Sequence, residues 1–151
     1  MAAISGGSKL KAALDKIAAK LDKGGTVKIG FLEGSTDTEG MSLPLKAALN
    51  EFGHEHNGVV TPPRPFMRQM VAAKAGNWPD TIAGLLKATN YDVEKTLDKT
   101  GEGIAGQLRE SILDFYDPPL SPVTIAKKGS DKPLIETSDM MNGIRSEVNI
   151  K

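Results

Sequence analysis

Apolar residues recur at intervals of three and four in several stretches of the chain, and this spacing predicts amphipathic helices. The first helix covers residues 8–22, with Ser8 as its cap, and the second covers residues 42–52 and ends at Gly53. We expect both apolar stripes to be buried. They consist of Leu10, Leu14, Ile17, Ala18 and Leu21 in the first helix, and of Leu45, Ala48, Leu49 and Phe52 in the second.

The longest periodic run covers residues 91–115 and predicts a long central helix. A third helix is expected to begin at Pro65 and a short helical piece to follow Pro79, because proline is favoured in a first helical turn. The expected buried face of the long helix consists of Val93, Leu97, Gly101, Ile104, Leu108, Ile112 and Phe115.

Alternation of apolar with polar or small residues predicts one strand in residues 26–33 and another in the tail from Ile144 to Ile150. Strands near both ends with helices between them predict a single α+β domain over 1–151. We expect a small mixed sheet, with an N-terminal helix within residues 1–25 and the long central helix packed on it. The proline-containing stretches 53–64 and 117–135 are expected to be extended loops.

The composition narrows the possible functions. The chain has 151 residues and no cysteine, which excludes disulfides and thiolate metal sites. Nineteen basic residues balance nineteen acidic ones, so no overall charge draws the chain to nucleic acid or to an anionic membrane. No apolar run reaches the roughly 20 residues that span a bilayer, and the first residues do not resemble a signal peptide.

His54 and His56 are the two histidines of the chain, and they flank Glu55. A metallopeptidase helix would place two histidines four residues apart, whereas these are two apart. On a strand, side chains two apart share a face, so a two-histidine corner of a metal site is possible. The remaining ligands would have to be carboxylates, and we predict an exposed pair of histidines and no cofactor.

Residues 101–106 read Gly-Glu-Gly-Ile-Ala-Gly, which matches the glycine spacing of a dinucleotide-binding loop. Such a loop follows a strand, whereas the helical period here continues through the glycines. We therefore expect the glycines to permit close helix packing or a bend. Because there is no phosphate-binding P-loop motif and no nucleophile-elbow motif either, we predict that the protein is not an enzyme.

Two proline-rich segments are the candidate assembly surfaces, because extended segments lose little entropy when they dock. The competing interpretation is that the prolines only shape tight connections. Lysines in the stretch 126–132 form either a solvated loop or a contact to an acidic partner. The candidate contact residues are Pro63, Arg64, Pro65, Phe66 and Arg68 in the first segment, and Pro119, Leu120, Lys127 and Lys128 in the second.

Three stretches stand in a suggestive order: AALNEFG at 47–53, PPRPFMR at 62–68, and PPLSPVTIAKKGSDKPLIETSDMMNGI at 118–144. Together with the strand before them, they resemble the neck and minor tail proteins of tailed bacteriophages, also called tail-completion proteins. The resemblance covers most of residues 26–150. The family usually has a glycine where this chain has Ser138, and we expect the serine hydroxyl to cap a short helix over 138–144 instead.

The resemblance implies a structural subunit of the virion, assembled in the host cytoplasm. Such subunits form a ring, hexameric by resemblance, which joins the tail terminator or tail tube to the head-side connector and lets genomic DNA pass. We further expect residues 59–68 and 117–135 to lie at contacts between subunits or between neighbouring rings. Replacing Arg64 and Phe66 together should then block joining while the monomer stays folded.

Other interpretations remain open. Within the virion, they are a tail terminator and a head-closure protein. Outside it, they are a small metal-dependent hydrolase that uses His54 and His56, and a nucleic-acid-binding module that uses Lys127, Lys128 and Lys132.

Overall fold

The computed structural model describes residues 6–129, 134 and 138–151, and they form an α+β fold. The helices are α1 (Gly7–Leu21), α2 (Leu43–Phe52), α3 (Phe66–Lys74), α4 (Trp78–Ala88), α5 (Val93–Asp114), α6 (Pro122–Lys128) and α7 (Asp139–Gly143), with a 3₁₀ turn at Ala75–Asn77. The strands are β1 (Gly25–Phe31), β2 (His54–His56), β3 (Val59–Thr61) and β4 (Ile144–Ile150). In the described residues no helix is long and apolar enough to cross a membrane.

The two predicted strands pair with each other and bring the two ends of the chain together. β1 and β4 are antiparallel, with a register that runs from Gly25 opposite Ile150 to Phe31 opposite Ile144. The expected mixed sheet is therefore wrong, because every pairing in the described part of the chain is antiparallel and each sheet has two strands. Antiparallel strands, unlike parallel ones, do not require a crossover connection between them.

The long helix α5 covers one face of the β1–β4 sheet. Side chains alternate between the two faces of a strand, so the β1 residues nearest α5 are the alternating apolar ones, such as Val27. The opposite face is polar and open to solvent, with Lys28 directly across from Glu147. One face of the sheet is thus packed and the other solvated, which is usual for antiparallel sheets.

Gly101 lets α5 approach the sheet closely. A Cβ atom at this position would lie 2.8 Å from the Cβ of Ser146 and 2.9 Å from Cγ2 of Val27. Gly103 and Gly106, in contrast, have no atom within 4 Å of such a Cβ. The glycine-rich hexapeptide therefore lies within a continuous helix, and its first glycine is a packing position.

We expect Gly101→Ala to lower the free energy of unfolding by about 1–3 kcal/mol, because the added methyl group overpacks the contact between α5 and the sheet. Gly103→Ala is the matched control and should raise it by about 0.5–1 kcal/mol, because alanine favours the helix and meets open space. Urea unfolding of both variants measures the difference. Equal effects of the two substitutions would contradict the packing role of Gly101.

The core lies where α5 meets α2, α3 and the final turn into β4. Phe66, Ile112 and Ile144 are fully buried there, and Leu108 is nearly so. The rings of Phe31 and Phe66 meet edge to face with centroids 6.5 Å apart. The other buried apolar side chains are Leu43, Ala47, Met70, Ala105, Phe115, Leu134 and Met140.

The N-terminal helix forms as predicted, but it does not pack as predicted. α1 has no buried residue, and its stripe leucines Leu10 and Leu14 are 62% and 56% exposed. Ser8 lies within the helix, whose cap position is Gly6, so the predicted serine cap is also wrong. The expected packing of this helix on the sheet is corrected accordingly.

The buried face of α2 is rotated from the predicted one. Leu43, Ala47 and Glu51 are buried, whereas Leu45 and Phe52 are 52% and 65% exposed. Helical periodicity identifies an apolar stripe, but it does not say which neighbouring face a tertiary contact will select. In this helix the contact has selected a face that includes a glutamate.

Both expected loops contain regular structure. The stretch 53–64 contains the β2–β3 hairpin, whose two-residue turn consists of Asn57 and Gly58 at φ of 51° and 76°. An Asn-Gly turn between two short strands favours a hairpin, because both residues tolerate positive φ. The stretch 117–135 contains α6, which is capped by the Ser121 hydroxyl. Residues 130–133 and 135 of this stretch, including Lys132, lie outside the described residues.

The predicted Ser138 cap is also corrected. Ser138 precedes α7 with a φ of 63° and makes no side-chain cap hydrogen bond. This left-handed conformation favours glycine, which is the residue that the resembled family usually has at this place.

Asp37 organises the loop between β1 and α2. Its carboxylate accepts hydrogen bonds from the backbone N–H groups of Met41 (2.8 Å) and Glu39 (3.0 Å), and from Nζ of Lys46 (3.0 Å). The bond from Met41, followed by that from Lys46, lowers the pKa of the Asp37 carboxyl below its ordinary value of 3.8. The ionised carboxylate is thus favoured in the folded chain.

The lowered pKa of Asp37 predicts a contribution to stability that is fully present above the ordinary pKa and is lost as the pH falls through the folded pKa. We expect Asp37→Asn to unfold with a weaker pH dependence than the wild type below about pH 4. Asp98→Asn, at an exposed position of α5, is the control. The measurement is the urea midpoint as a function of pH in this acid range. If the midpoints of both variants depended on pH as the wild type does, the role of Asp37 would be contradicted.

Candidate assembly surface

The Pro-Pro-Arg-Pro-Phe segment connects the hairpin to α3. The backbone N–H of Arg64 donates to the carbonyl of Asn50 at 2.6 Å, and the N–H of Phe66 donates to the carbonyl of Arg64 at 2.8 Å. Pro63 is exposed and Pro65 is half-buried. The segment is therefore a tight connection against the end of α2, as the competing interpretation of the prolines proposed.

Two of the predicted contact residues in this segment face the interior of the monomer. Phe66 is fully buried, and Arg64 is only 7% exposed. The interpretation of Phe66 as a docking anchor is therefore corrected, because its ring packs against Phe31 in the core. Burial lowers the pKa of the Arg64 guanidinium, and its Nε has no hydrogen-bond partner among the described residues.

Glu51 fixes the start of α3 from the neighbouring helix. Its carboxylate accepts hydrogen bonds from the backbone N–H groups of Met67 (3.0 Å) and Arg68 (3.1 Å), and from Nε of Arg68 (2.8 Å). Pro65, at the cap position of α3, has no side chain that could accept these bonds. Glu51 therefore acts as the cap of a helix to which it does not belong, and its negative charge lies at the positive end of that helix.

Arg68 extends this arrangement to the surface. Its Nη2 donates to the carbonyl of Glu51 at 3.0 Å, and its guanidinium carbon lies 4.9 Å from the centroid of the Phe52 ring. The stacked guanidinium and ring form a cation–π contact. Arg68 is thus held in place while its side chain stays 59% exposed, so it is a predicted contact residue that remains available at the surface.

A groove of about 580 Å³ lies between β1, α2 and the start of α3. Residues 28–31 of β1 and the following Leu32 and Glu33 line it, together with Ala48 and Phe52 on α2 and Arg68 on α3. The charged residues Lys28, Glu33 and Glu147 are part of the lining, and its other members are Ile29, Gly30, Phe31, Pro44, Ala47, Glu51, Phe66 and Met67. We name this feature the β1–α2 groove.

The second predicted segment does not contribute to the β1–α2 groove. Pro119 and Lys127 are exposed, and Leu120 and Lys128 are half-buried. Both lysines lie in the last turn of α6, where positive charge is favourable at the negative end of the helix dipole. None of the four residues lines the groove. The structure therefore does not join the two predicted segments into one site.

The histidines lie on a strand. His54 and His56 belong to β2, where side chains two apart share a face, and both are exposed. In the ranges 6–129 and 138–151, together with residue 134, no group of three or more histidine, cysteine, aspartate or glutamate side chains could hold a metal ion.

Sequence reasoning missed Glu51 and misassigned Phe52. The sixteen-residue separation of Glu51 from Met67 gives no local signal, because the carboxylate meets α3 only after α2 and α3 have packed. The hairpin, in contrast, had a signal in the dipeptide Asn57-Gly58.

Comparisons with known proteins identify no relative. The chain matches no protein-family model, no curated protein and no solved structure.

Proposed function

We propose that this protein is a structural subunit that assembles into a ring, and that the ring is a tail-completion component of a bacteriophage neck. The observation that carries the proposal is that α1 and α2 each expose an apolar face. The spacing of the apolar residues on each face is typical of a buried helix surface. Helix faces of this kind are normally covered in the functional state of a protein. The order of sequence motifs that resembles the neck proteins supplies the virion context.

The exposed apolar side chains support an assembled state. In the described part of the chain, α1, α2 and the hairpin expose large apolar side chains, among them Leu10, Phe52 and Val60.

A ring requires two different contact surfaces on each subunit, because every subunit meets its two neighbours with different faces. The α1 stripe and the β1–α2 groove are two such surfaces. In the proposed neck, the ring joins the head-side connector to the tail terminator or tail tube, and DNA passes through its lumen without sequence-specific contacts. The zero net charge fits this role, since a strongly basic lumen would retain phosphates.

Deletion of the gene from the phage that encodes it tests the virion role. We expect separate DNA-filled heads and finished tails to accumulate, and added purified protein to restore joining. Electron micrographs of lysates and infectious titres measure both effects. Normal yields of infectious particles from the deletion strain would overturn the neck assignment. Defective heads or defective tails, instead of unjoined ones, would favour head closure or tail termination.

A further inference from the structure

Helix α1 has an apolar stripe that the described part of its own chain covers only at its C-terminal end. Leu10, Leu14 and Leu21 are 62%, 56% and 40% exposed, and Ile17 is half-buried. Helices of about 15 residues are marginal in water unless tertiary packing stabilises one face. The helix is therefore suited to a docked state in which the stripe is covered.

The β1–α2 groove is an apolar space of matching character on the same chain. Its lining includes Ala48, the exposed ring of Phe52 and the exposed side chain of Leu32. Its volume of about 580 Å³ accommodates several aliphatic side chains. Sequence periodicity predicts that Ala48 and Phe52 are buried, whereas in the single chain they border open space. The groove and the stripe are therefore two uncovered surfaces of the same polarity.

The two surfaces of one chain are held apart. Nζ of Lys20 donates to the carbonyl of Asn90 at 2.9 Å, which ties the end of α1 near Asn149 and Ile150, at the Gly25 end of β1. The groove begins at Lys28, about 10 Å along β1 from Gly25 at 3.3 Å per residue, and no residue of α1 lines it. The stripe of α1 leaves the groove of its own chain empty.

Charge favours contact between copies. The segment 7–23 carries five lysines and two aspartates, for a net charge of +3. The first six residues carry no charged side chain, so residues 24–151 hold the other fourteen basic and seventeen acidic side chains, for a net charge of −3. At the groove, Glu33 and Glu147 outnumber Lys28, because Glu51 and Arg68 pair with each other. A positive helix thus meets a negative body, and this complementarity speeds and orients association.

We propose that α1 of one copy docks its leucine stripe into the β1–α2 groove of the next copy. The contact is heterologous, because a helix on one subunit meets a groove on another, and its repetition generates a ring. This inference deepens the proposed self-assembly and rests on it, but it does not depend on the place of the ring in a virion.

The decisive experiment mixes two variants of the full chain. Leu10→Ser/Leu14→Ser removes the stripe and keeps the groove, and Ala48→Arg fills the groove with a positive side chain and keeps the stripe. We expect each variant alone to be monomeric in sedimentation velocity, and their equimolar mixture to form a 1:1 complex that grows no further. Only a heterologous contact gives this pattern, since each variant retains one of the two surfaces.

Matched controls separate the contact from general effects of substitution. Ala12→Ser/Ala19→Ser introduces the same hydroxyls on the opposite side of α1, and Ala72→Arg places arginine at an exposed position of α3. Both should assemble as the wild type does. Circular dichroism and urea unfolding confirm that the variants remain folded. Stripe and groove variants that assemble like the wild type would overturn the α1–groove contact while leaving self-assembly intact.

A second measurement keeps the inference testable if the purified wild type is monomeric. A fluorescent peptide of residues 6–23 should bind the full chain saturably, and Ala48→Arg should weaken its binding at least about tenfold. Absence of binding, or equal binding to wild type and Ala48→Arg, would overturn the inference. A phage deletion strain with unjoined heads and tails would still support the neck role in that case.

Discussion

Replacing Phe66 with alanine is expected to lower the free energy of unfolding by about 3–5 kcal/mol. The side chain is fully buried, its ring meets Phe31 edge to face, and its removal leaves a cavity in the core that the surrounding residues can only partly close. A loss of this size is a large fraction of the stability of a small domain, which is about 5–15 kcal/mol. Urea or thermal unfolding measures it.

Phe52→Ala is the matched control, because it removes the same side chain from the surface. Phe52 is 65% exposed and stacks with Arg68, so we expect a loss of at most about 1 kcal/mol. The same variant should weaken self-association, because Phe52 lines the β1–α2 groove. Equal destabilisation by the two alanines would contradict the assignment of Phe66 to the core and Phe52 to the surface.

The sequence predicts that substituting Arg64 and Phe66 together blocks joining without unfolding the monomer. Since Phe66 is a core residue and Arg64 is only 7% exposed, loss of joining in that double variant would reflect loss of the fold. Substitutions at Ala48 and Phe52 test assembly without this ambiguity.

Replacing Glu51 with alanine is expected to lower the free energy of unfolding by about 2–4 kcal/mol. The substitution removes a buried carboxylate that accepts bonds from two N–H groups in the first turn of α3 and from the Arg68 side chain. The N–H of Met67, which is half-buried, would then lack its partner. Denaturant unfolding measures the loss, and hydrogen exchange of Met67 and Arg68 localises it to α3.

Two further variants define what Glu51 contributes. Glu51→Gln keeps one acceptor oxygen and should lose less stability than Glu51→Ala, whereas Glu55→Ala, on the exposed strand β2, should change it by less than about 0.5 kcal/mol. Arg68→Ala should lose about 1 kcal/mol or less, because the arginine side chain is 59% exposed and its ion pair is screened by solvent. A Glu51→Ala loss no larger than that of Arg68→Ala would assign the effect to the ion pair alone.

The packing of α5 shows how far local pattern carries. Its apolar period predicted a single long helix through three glycines, and the helix Val93–Asp114 confirms it. The strand assignments near both ends are confirmed as well, since alternation is a local property of each strand. The pattern did not indicate that, of the three glycines, Gly101 packs against the sheet. This contact depends on how the fold positions Ser146 and Val27 relative to α5.

The same limit explains the errors on α1 and α2. Periodicity identified an apolar stripe on each helix, and both helices formed, but whether a stripe is buried depends on the surfaces that the rest of the chain provides. The described part of the monomer provides none for Leu10 and Leu14. In α2 it covers the face of Glu51 and leaves Phe52 exposed.

The sequence by itself determined the α+β class, the position of the main helices and strands, and the balance of charge, because each follows from local spacing and composition. Only the tertiary structure decided that Phe66 belongs to the core, that Glu51 caps α3, and that the α1 stripe and the β1–α2 groove remain uncovered. Burial and distant hydrogen bonds arise when elements far apart in the chain meet, and no local pattern encodes which of their faces will do so.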